Sequence, residues 1–351
     1  MLTALIFIII IGILVLVHEF GHFITAKRAG MKVEEFGFGF PPRIFGIKRG
    51  ETIYSLNWIP FGGFVKIFGE SGEEADSPRS FASKPAGTRA KVIVAGVVMN
   101  IILAYVLLMV GNVLGLRTAI EENDQNPLIQ DRRIQIVQVA AHSPASEVKL
   151  ETLDEIIGFQ NIAEFQKYIN QNRGKNVVVK IKRGGEIFNR TVTPRLNPPA
   201  GEGSLGISMA ATGVIKYPWY QSIYEAGKQT GILAINTFVG YGQIISKIFT
   251  TGSPGANISG PIGIAKFTGQ AARIGFAYLV QLVALLSVNL AVLNIIPFPA
   301  LDGGRLLFIG LEKIKGSPLS HRVENLANTI GFALLILLMI YVTTKDITRL
   351  F

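Results

Sequence analysis

The sequence predicts a polytopic α-helical membrane protein with four transmembrane helices, a membrane-associated β-hairpin and an inserted α+β domain. Three observations lead there. Only 17% of the 351 residues are charged and 49% are hydrophobic, whereas soluble domains carry about 25% charge; mean hydropathy is +0.40. Long apolar windows run from Leu2 to Ala26, Val92 to Leu116, Phe276 to Ile296 and Leu326 to Thr344, each near the roughly 20 residues that cross a bilayer. Residues 131 to 196 have instead the mixed strand and helix patterning of a small soluble unit.

The first window differs from a signal peptide, because no Lys or Arg precedes Lys27. Its apolar run to Val17 is slightly short, so a spanning helix must include His18, Glu19 and His22. The loop from Ala26 to Lys91 carries eleven Lys or Arg, Lys91 included. The positive-inside rule therefore sets this loop in the cytoplasm and the N-terminus outside. Within the loop, "RIFGI" and "TIYSLNW" flank the turn "KRGE", a hairpin signal. The following "IPFGGFVKIF" is apolar enough to dip into the bilayer, and "GESGEEADSPRSFASKPAG" is a polar connector.

In the soluble unit, "RIQIVQV" and "DEIIGF" read as strands and "SPASEVKL" as a short helix opened by Ser143 and Pro144. "NIAEFQKYINQN" sets Ile162, Phe165 and Ile169 on one helical face, and "NVVVKIKRGGEIFNRTVTP" is a hairpin turning at Gly184-Gly185. A weaker apolar stretch, Gln229 to Ser246, holds Asn236, Gln243 and glycines. The expected domains are 1–116, carrying two spans and the hairpin loop; 117–200, extracytoplasmic with a core at 131–196; 201–275, an amphipathic segment on the membrane surface; and 276–351, carrying the last two spans.

The net charge of +10 comes from basic residues spread over loops. They form no aromatic-interleaved cluster, which argues against a nucleic-acid partner. The partners expected are the lipid bilayer and membrane-protein substrates. With no cysteine in the chain, disulfides and thiolate metal ligands are excluded.

His18-Glu19-Phe20-Gly21-His22 is H-E-x-x-H. On a helix, residues four apart lie about 40° apart around the axis and one turn along, so both imidazoles reach one metal ion. Glu19 is set beside the first ligand to take a proton from water as general base. Two packing histidines with an incidental glutamate are the alternative, weakened by the cost of ionisable groups within a span. Catalytic zinc takes three protein ligands. His142 and His321 lie in polar segments, so Asp302 is the better third candidate. It is the first acid after Glu225 and follows the third span directly, where Pro297 and Pro299 break the helix. Spacing alone leaves Asp302 equally suited to capping the next helix. With four spans, His22 and Asp302 both lie near the inner face. Counting residues 229–246 as a fifth would separate them by about 30 Å.

Asn100, Asn289 and Asn294 lie within or at the ends of spans. They suit outer-shell hydrogen bonds, substrate backbone or interhelical contacts. Asn289 and Asn294, five apart, point about 140° apart on a regular helix. A metal-binding scaffold without activity has no use for Glu19. A metal transporter would want ligands across the bilayer, and a non-haem iron oxygenase has no job for that base.

"HEFGH" in the first span and "NIIPFPALDGG" after the third resemble the site-2 protease family of intramembrane zinc metalloproteases, closest to the bacterial regulator-of-sigma-E type. "GFGF", "IPFGGFVKIFGE", "AGVVMN" and "SGPIGI" extend the resemblance over nearly the whole chain. It implies Zn2+ held by His18, His22 and Asp302, with Glu19 as catalytic base and Asn289 and Asn294 near the substrate. It further implies a 44–65 hairpin that pairs with extended substrate, and a PDZ-like soluble unit. Expected substrates are single-span membrane proteins of the anti-sigma-factor or signal-peptide-remnant type. The expected location is a bacterial inner membrane, with the PDZ-like unit outside and the active site near the cytoplasmic side. The sequence departs from the family at Val97, where proline is frequent, and at Leu153, where a glycine usually precedes the aspartate.

Overall fold

The computed structural model describes residues 2–70, 76–122, 124–199, 201–252, 260–317 and 320–348. Parts of the polar connector (71–75) and of "TTGSPGANISGPIGIA" (253–259) lie outside the described residues. Helix α1 (Leu2–Arg28) is followed by strands β1 (Val33–Arg49) and β2 (Thr52–Ile67) and by α2 (Ala86–Leu114). Next come β3 (Leu116–Ala119), β4 (Ile129–Val139), α3 (Pro144–Glu147), β5 (Glu155–Ile156), α4 (Ile162–Gln171), β6 (Val177–Arg183), β7 (Glu186–Val192) and β8 (Ile207–Ile215). The chain continues through α5 (Trp219–Thr251), α6 (Pro261–Ile274), α7 (Phe276–Ile295), α8 (Asp302–Lys315) and α9 (His321–Thr348). Two compact units result: Met1–Leu108 with Ala226–Gly269 and Leu282–Phe351, and Met109–Glu225 with Gln270–Gln281.

In the first unit, α1 and α2 approach until a β-carbon on Gly21 would lie 2.7 Å from the carbonyl carbon of Ala95. Small residues of this kind allow close helix contact where lipid leaves packing as the main attraction. The hairpin is more than two strands side by side. Residues 33–38 of β1 pair on one side with 63–67 of β2 and on the other with 53–56, which in turn pair with 45–48. Each long strand thus doubles back near Gly39 and Gly62, both at positive φ. Buried Asn57 holds the bend by donating to the carbonyls of Phe38 (3.2 Å) and Gly39 (3.1 Å). The sheet packs on α1 through Phe23 and Phe36, ring centroids 5.1 Å apart, and through Phe38 over Gly12. Ile44, Phe45, Ile47, Trp58 and Ile59 are exposed, which suits an element lying against lipid.

The second unit is a six-stranded antiparallel sheet in the order β3-β8-β4-β5-β6-β7. Its core joins Ile134, Ile136, Val179 and Ile181 of the sheet to Phe165 and Ile169 of α4. A capping box between Ser143 and Ser146 opens α3, and the Asn161 side chain opens α4. Leu153, standing where glycine was expected, has φ +73°; the left-handed region costs an L residue about 1–2 kcal/mol.

One expectation is corrected here. Residues 201–275 are not one surface segment, because β8 hydrogen-bonds to both β3 and β4. The stretch "ISMAATGVI" was missed because its alanines and glycine have low strand propensity. Gln229 to Ser246 is the middle of a continuous 33-residue helix, α5. Among the described residues, five helices are long and apolar enough to cross a membrane, α5 having the lowest hydropathy of the five at 1.3.

Candidate active site

His18 and His22 share one face of α1, their ring centroids 4.8 Å apart and their Nε2 atoms 3.2 Å apart. Helix α2 backs both rings. The carbonyl of Val92 lies 2.9 Å from His22 Nδ1 and accepts its proton, so His22 turns the Nε2 lone pair inward. One turn further along α2, Gly96 faces the pair, and a β-carbon there would sit 2.8 Å from His18 Cε1. Asn100, fully buried, reaches His18 Nδ1 at 3.4 Å.

The third group arrives from the far end of the sequence. After α7 stops ahead of Pro297, the chain turns through Ala300 at φ +74°, pinned by its N–H to Asn328 Oδ1 at 3.0 Å. Gly303 and Gly304 let α8 start hard against this turn. A β-carbon on Gly303 would come within 2.5 Å of the Ile296 carbonyl carbon, and one on Gly304 within 2.8 Å of that of Phe298. Asp302 is thereby held with Oδ2 3.0 Å from His18 Nε2 and 3.2 Å from His22 Nε2. Its side chain goes to the histidines, and α8 has no side-chain cap.

Glu19, His22 and Asp302 line one cavity of about 230 Å³ with Phe64, Val65 and Arg305. Arg305 is ion-paired to Glu70 at 2.5 Å. Asn294 Nδ2 is 3.5 Å from His18 Nε2, whereas Asn289 is turned elsewhere and accepts from Tyr241 of α5 at 3.0 Å. The two asparagines therefore part, as their spacing along the helix requires. Val92, Tyr241 and Arg305 carry no motif that would single them out in the sequence, and Gly96 and Glu70, though within "AGVVMN" and "IPFGGFVKIFGE", were given no role by it.

Whether this arrangement fits zinc is a question of edges and lone pairs. Tetrahedral bonds of 2.0–2.1 Å give ligand–ligand edges of about 3.3 Å; the three edges here are 3.0, 3.2 and 3.2 Å. Electron-rich atoms this close repel unless a cation or proton lies among them. Two imidazoles and one carboxylate are a donor set that suits catalytic zinc, which takes three protein ligands. His18, His22 and Asp302 fit the ion.

The sequence profile of Peptidase family M50 matches residues 6–338. The chain belongs to this family, the site-2 proteases. Its similarity to known members is spread over the whole length. A protein of Clostridium perfringens is 38% identical over 341 residues, 95% of each chain. The zinc metalloprotease RasP of Oceanobacillus iheyensis is 31% identical in a gapped alignment of 440 positions that covers all of both chains. The regulator of sigma-W protease RasP of Bacillus subtilis is 31% identical in a gapped alignment of 438 positions that covers 99% of each. As an M50 peptidase the chain is a zinc metalloprotease and a multi-pass membrane protein.

Proposed function

We propose that this peptidase cuts peptide bonds within or beside the transmembrane helices of single-span proteins, using zinc held by His18, His22 and Asp302 and Glu19 as general base. The observation that carries the reading is the triangle of donor atoms, 3.0 to 3.2 Å on a side, sharing a cavity with Glu19. His18, His22 and Asp302 would hold the zinc, which would supply a water of lowered pKa and polarise the scissile carbonyl. Glu19, lining the same cavity, would take a proton from the attacking water and deliver it to the leaving amine. Asn294, beside His18 Nε2, is placed to hold a substrate carbonyl. Asn289 serves the substrate once Tyr241 has let go of it.

A substrate helix hides its carbonyls in its own hydrogen bonds, so it must unwind before it is cut. The 63–67 segment supports a way to do this. Among the described residues its strand partner is β1, and Phe64, Val65 and Ile67 line the cavity that holds Glu19. An unwound substrate adds there as a further strand, regaining backbone bonds. The name of the Bacillus subtilis relative, regulator of sigma-W protease, favours anti-sigma-factor substrates, and signal-peptide remnants have the same single-span chemistry.

Four spans remain our reading, for a reason of parity. α1 and α7 both bring their C-terminal halves to the site, so they run in the same direction. The chain leaving α2 must then enter α7 from the side on which α2 ended. α6, with 14 residues, is about 21 Å long and too short to cross. A crossing by α5 alone would break the parity, so α5 lies along the surface. The basic loop sets α1's C-terminal end in the cytoplasm of a bacterial inner membrane and the sheet unit outside. That unit, with Leu153 in its strained turn, works as a PDZ-like size filter against bulky ectodomains.

Zinc content and cleavage of a single-span reporter by the purified wild type, His22→Ala and Asp302→Ala test the reading. The wild type is expected to hold about one zinc and to cut, while both variants lose zinc and activity together. A variant that keeps full zinc overturns its assigned ligand.

A further inference from the structure

Asn100 carries a hydrogen-bonding inconsistency that identifies its role. It is fully buried, its Nδ2 is 3.4 Å from His18 Nδ1, and its Oδ1 is buried with no partner among the described residues. A buried acceptor left unpaired costs about 1–3 kcal/mol. The backbone around it is fixed, because its carbonyl accepts from Ser287 Oγ of α7 at 2.7 Å.

The inconsistency disappears once the tautomers of the two histidines are considered together. His22 meets an acceptor, the Val92 carbonyl, at Nδ1, so its proton is on Nδ1 and Nε2 is free to bind. His18 also aims Nε2 at Asp302 and at His22. To bind a cation through Nε2 its proton must likewise be on Nδ1, where it needs an acceptor. The –NH2 of Asn100 is a donor and cannot serve. The amide oxygen and nitrogen of asparagine differ little in shape, and their assignment follows from the hydrogen-bond network. Turning the amide over sets Oδ1 against His18 Nδ1–H and removes the unpaired acceptor.

We propose that Asn100 Oδ1 accepts the Nδ1 proton of His18 and holds that imidazole in the tautomer whose Nε2 binds zinc. Asn100 is thus a positioning residue, the counterpart of the Val92 carbonyl, and α2 supplies an acceptor to each histidine. This rests on the zinc-site reading above. It goes beyond interhelical packing, which the Ser287 bond to the main chain already provides.

The test compares zinc dissociation constants, by chelator competition, of the full-length wild type, Asn100→Asp, Asn100→Leu and His18→Ala. Asp keeps an acceptor of the same shape; Leu keeps the volume and removes it. Loss of an outer-shell partner costs about 10–100-fold in metal affinity. Asn100→Leu is expected to fall by that factor and Asn100→Asp to stay within about threefold of wild type. Wild-type affinity in Asn100→Leu, or an equal loss in Asn100→Asp, overturns the proposal. Should Leu prevent folding, the zinc-loaded wild type with 15N-labelled histidine answers alone: a proton on His18 Nδ1 is expected, and one on Nε2 overturns the proposal. Wild-type zinc affinity in His18→Ala overturns the zinc site itself and the role of Asn100 with it.

Discussion

Gly96 of α2 lies flush against His18 of α1: a β-carbon at position 96 would stand 2.8 Å from His18 Cε1 and 2.7 Å from His22 Cε1. The rings are therefore held against bare helix backbone, and no flexible side chain can yield to relieve a clash. Gly96→Ala is expected to push both imidazoles off the site and weaken zinc binding about tenfold or more. Helix content by circular dichroism should be unchanged, since alanine is the better helix former. Undiminished zinc affinity in Gly96→Ala would mean that α2 does not set the geometry of the pair.

The doubled-back hairpin makes a prediction with an internal control. Along 63–67, successive backbone N–H groups point alternately to β1 and away from it. Of Phe64→Pro and Val65→Pro, one removes a bond to β1 and the other removes an outward donor. The outward variant should bind zinc as the wild type does and cut the reporter at least about tenfold more slowly, through loss of strand addition. Equal cleavage by that variant and wild type would exclude this edge as the substrate's partner.

The absence of cysteine makes the course of α5 measurable without background. At about 50 Å the helix is long enough to cross, yet parity keeps it on one side. Single cysteines replacing Tyr220 and Thr250, both exposed, should react with a membrane-impermeant maleimide from the same, outer side. Labelling from opposite sides would show that α5 crosses, and a further crossing before α7 would then be required.

Much of this was legible in the sequence, because it lies in side-chain identity and periodicity. The spans, the H-E-x-x-H face and the hairpin turn at Gly50-Glu51 are features of that kind. Asp302 could be named but not assigned. Spacing suited a ligand and a cap equally, and the difference lies in Gly303 and Gly304 letting α8 fold back onto its own turn. Val92 acts through its carbonyl, which leaves no mark in residue type, and Gly96, visible as a glycine, shows what it faces only once α1 and α2 are packed. β8 was hidden by weak strand formers and gains its place from two neighbouring strands. The second face of the hairpin sheet arises from bends at Gly39 and Gly62 that no pairing rule for a simple hairpin anticipates.

The central claim is that Glu19 moves the proton while its neighbours hold the metal. Glu19→Gln separates the two, since it keeps the shape and removes the base. Zinc content and reporter cleavage should be measured on the same purified sample of wild type and variant. Equal zinc is expected, about one per chain, with cleavage lowered by about 10²–10⁴-fold in the variant. Cleavage at the wild-type rate by a zinc-loaded Glu19→Gln protein would contradict it.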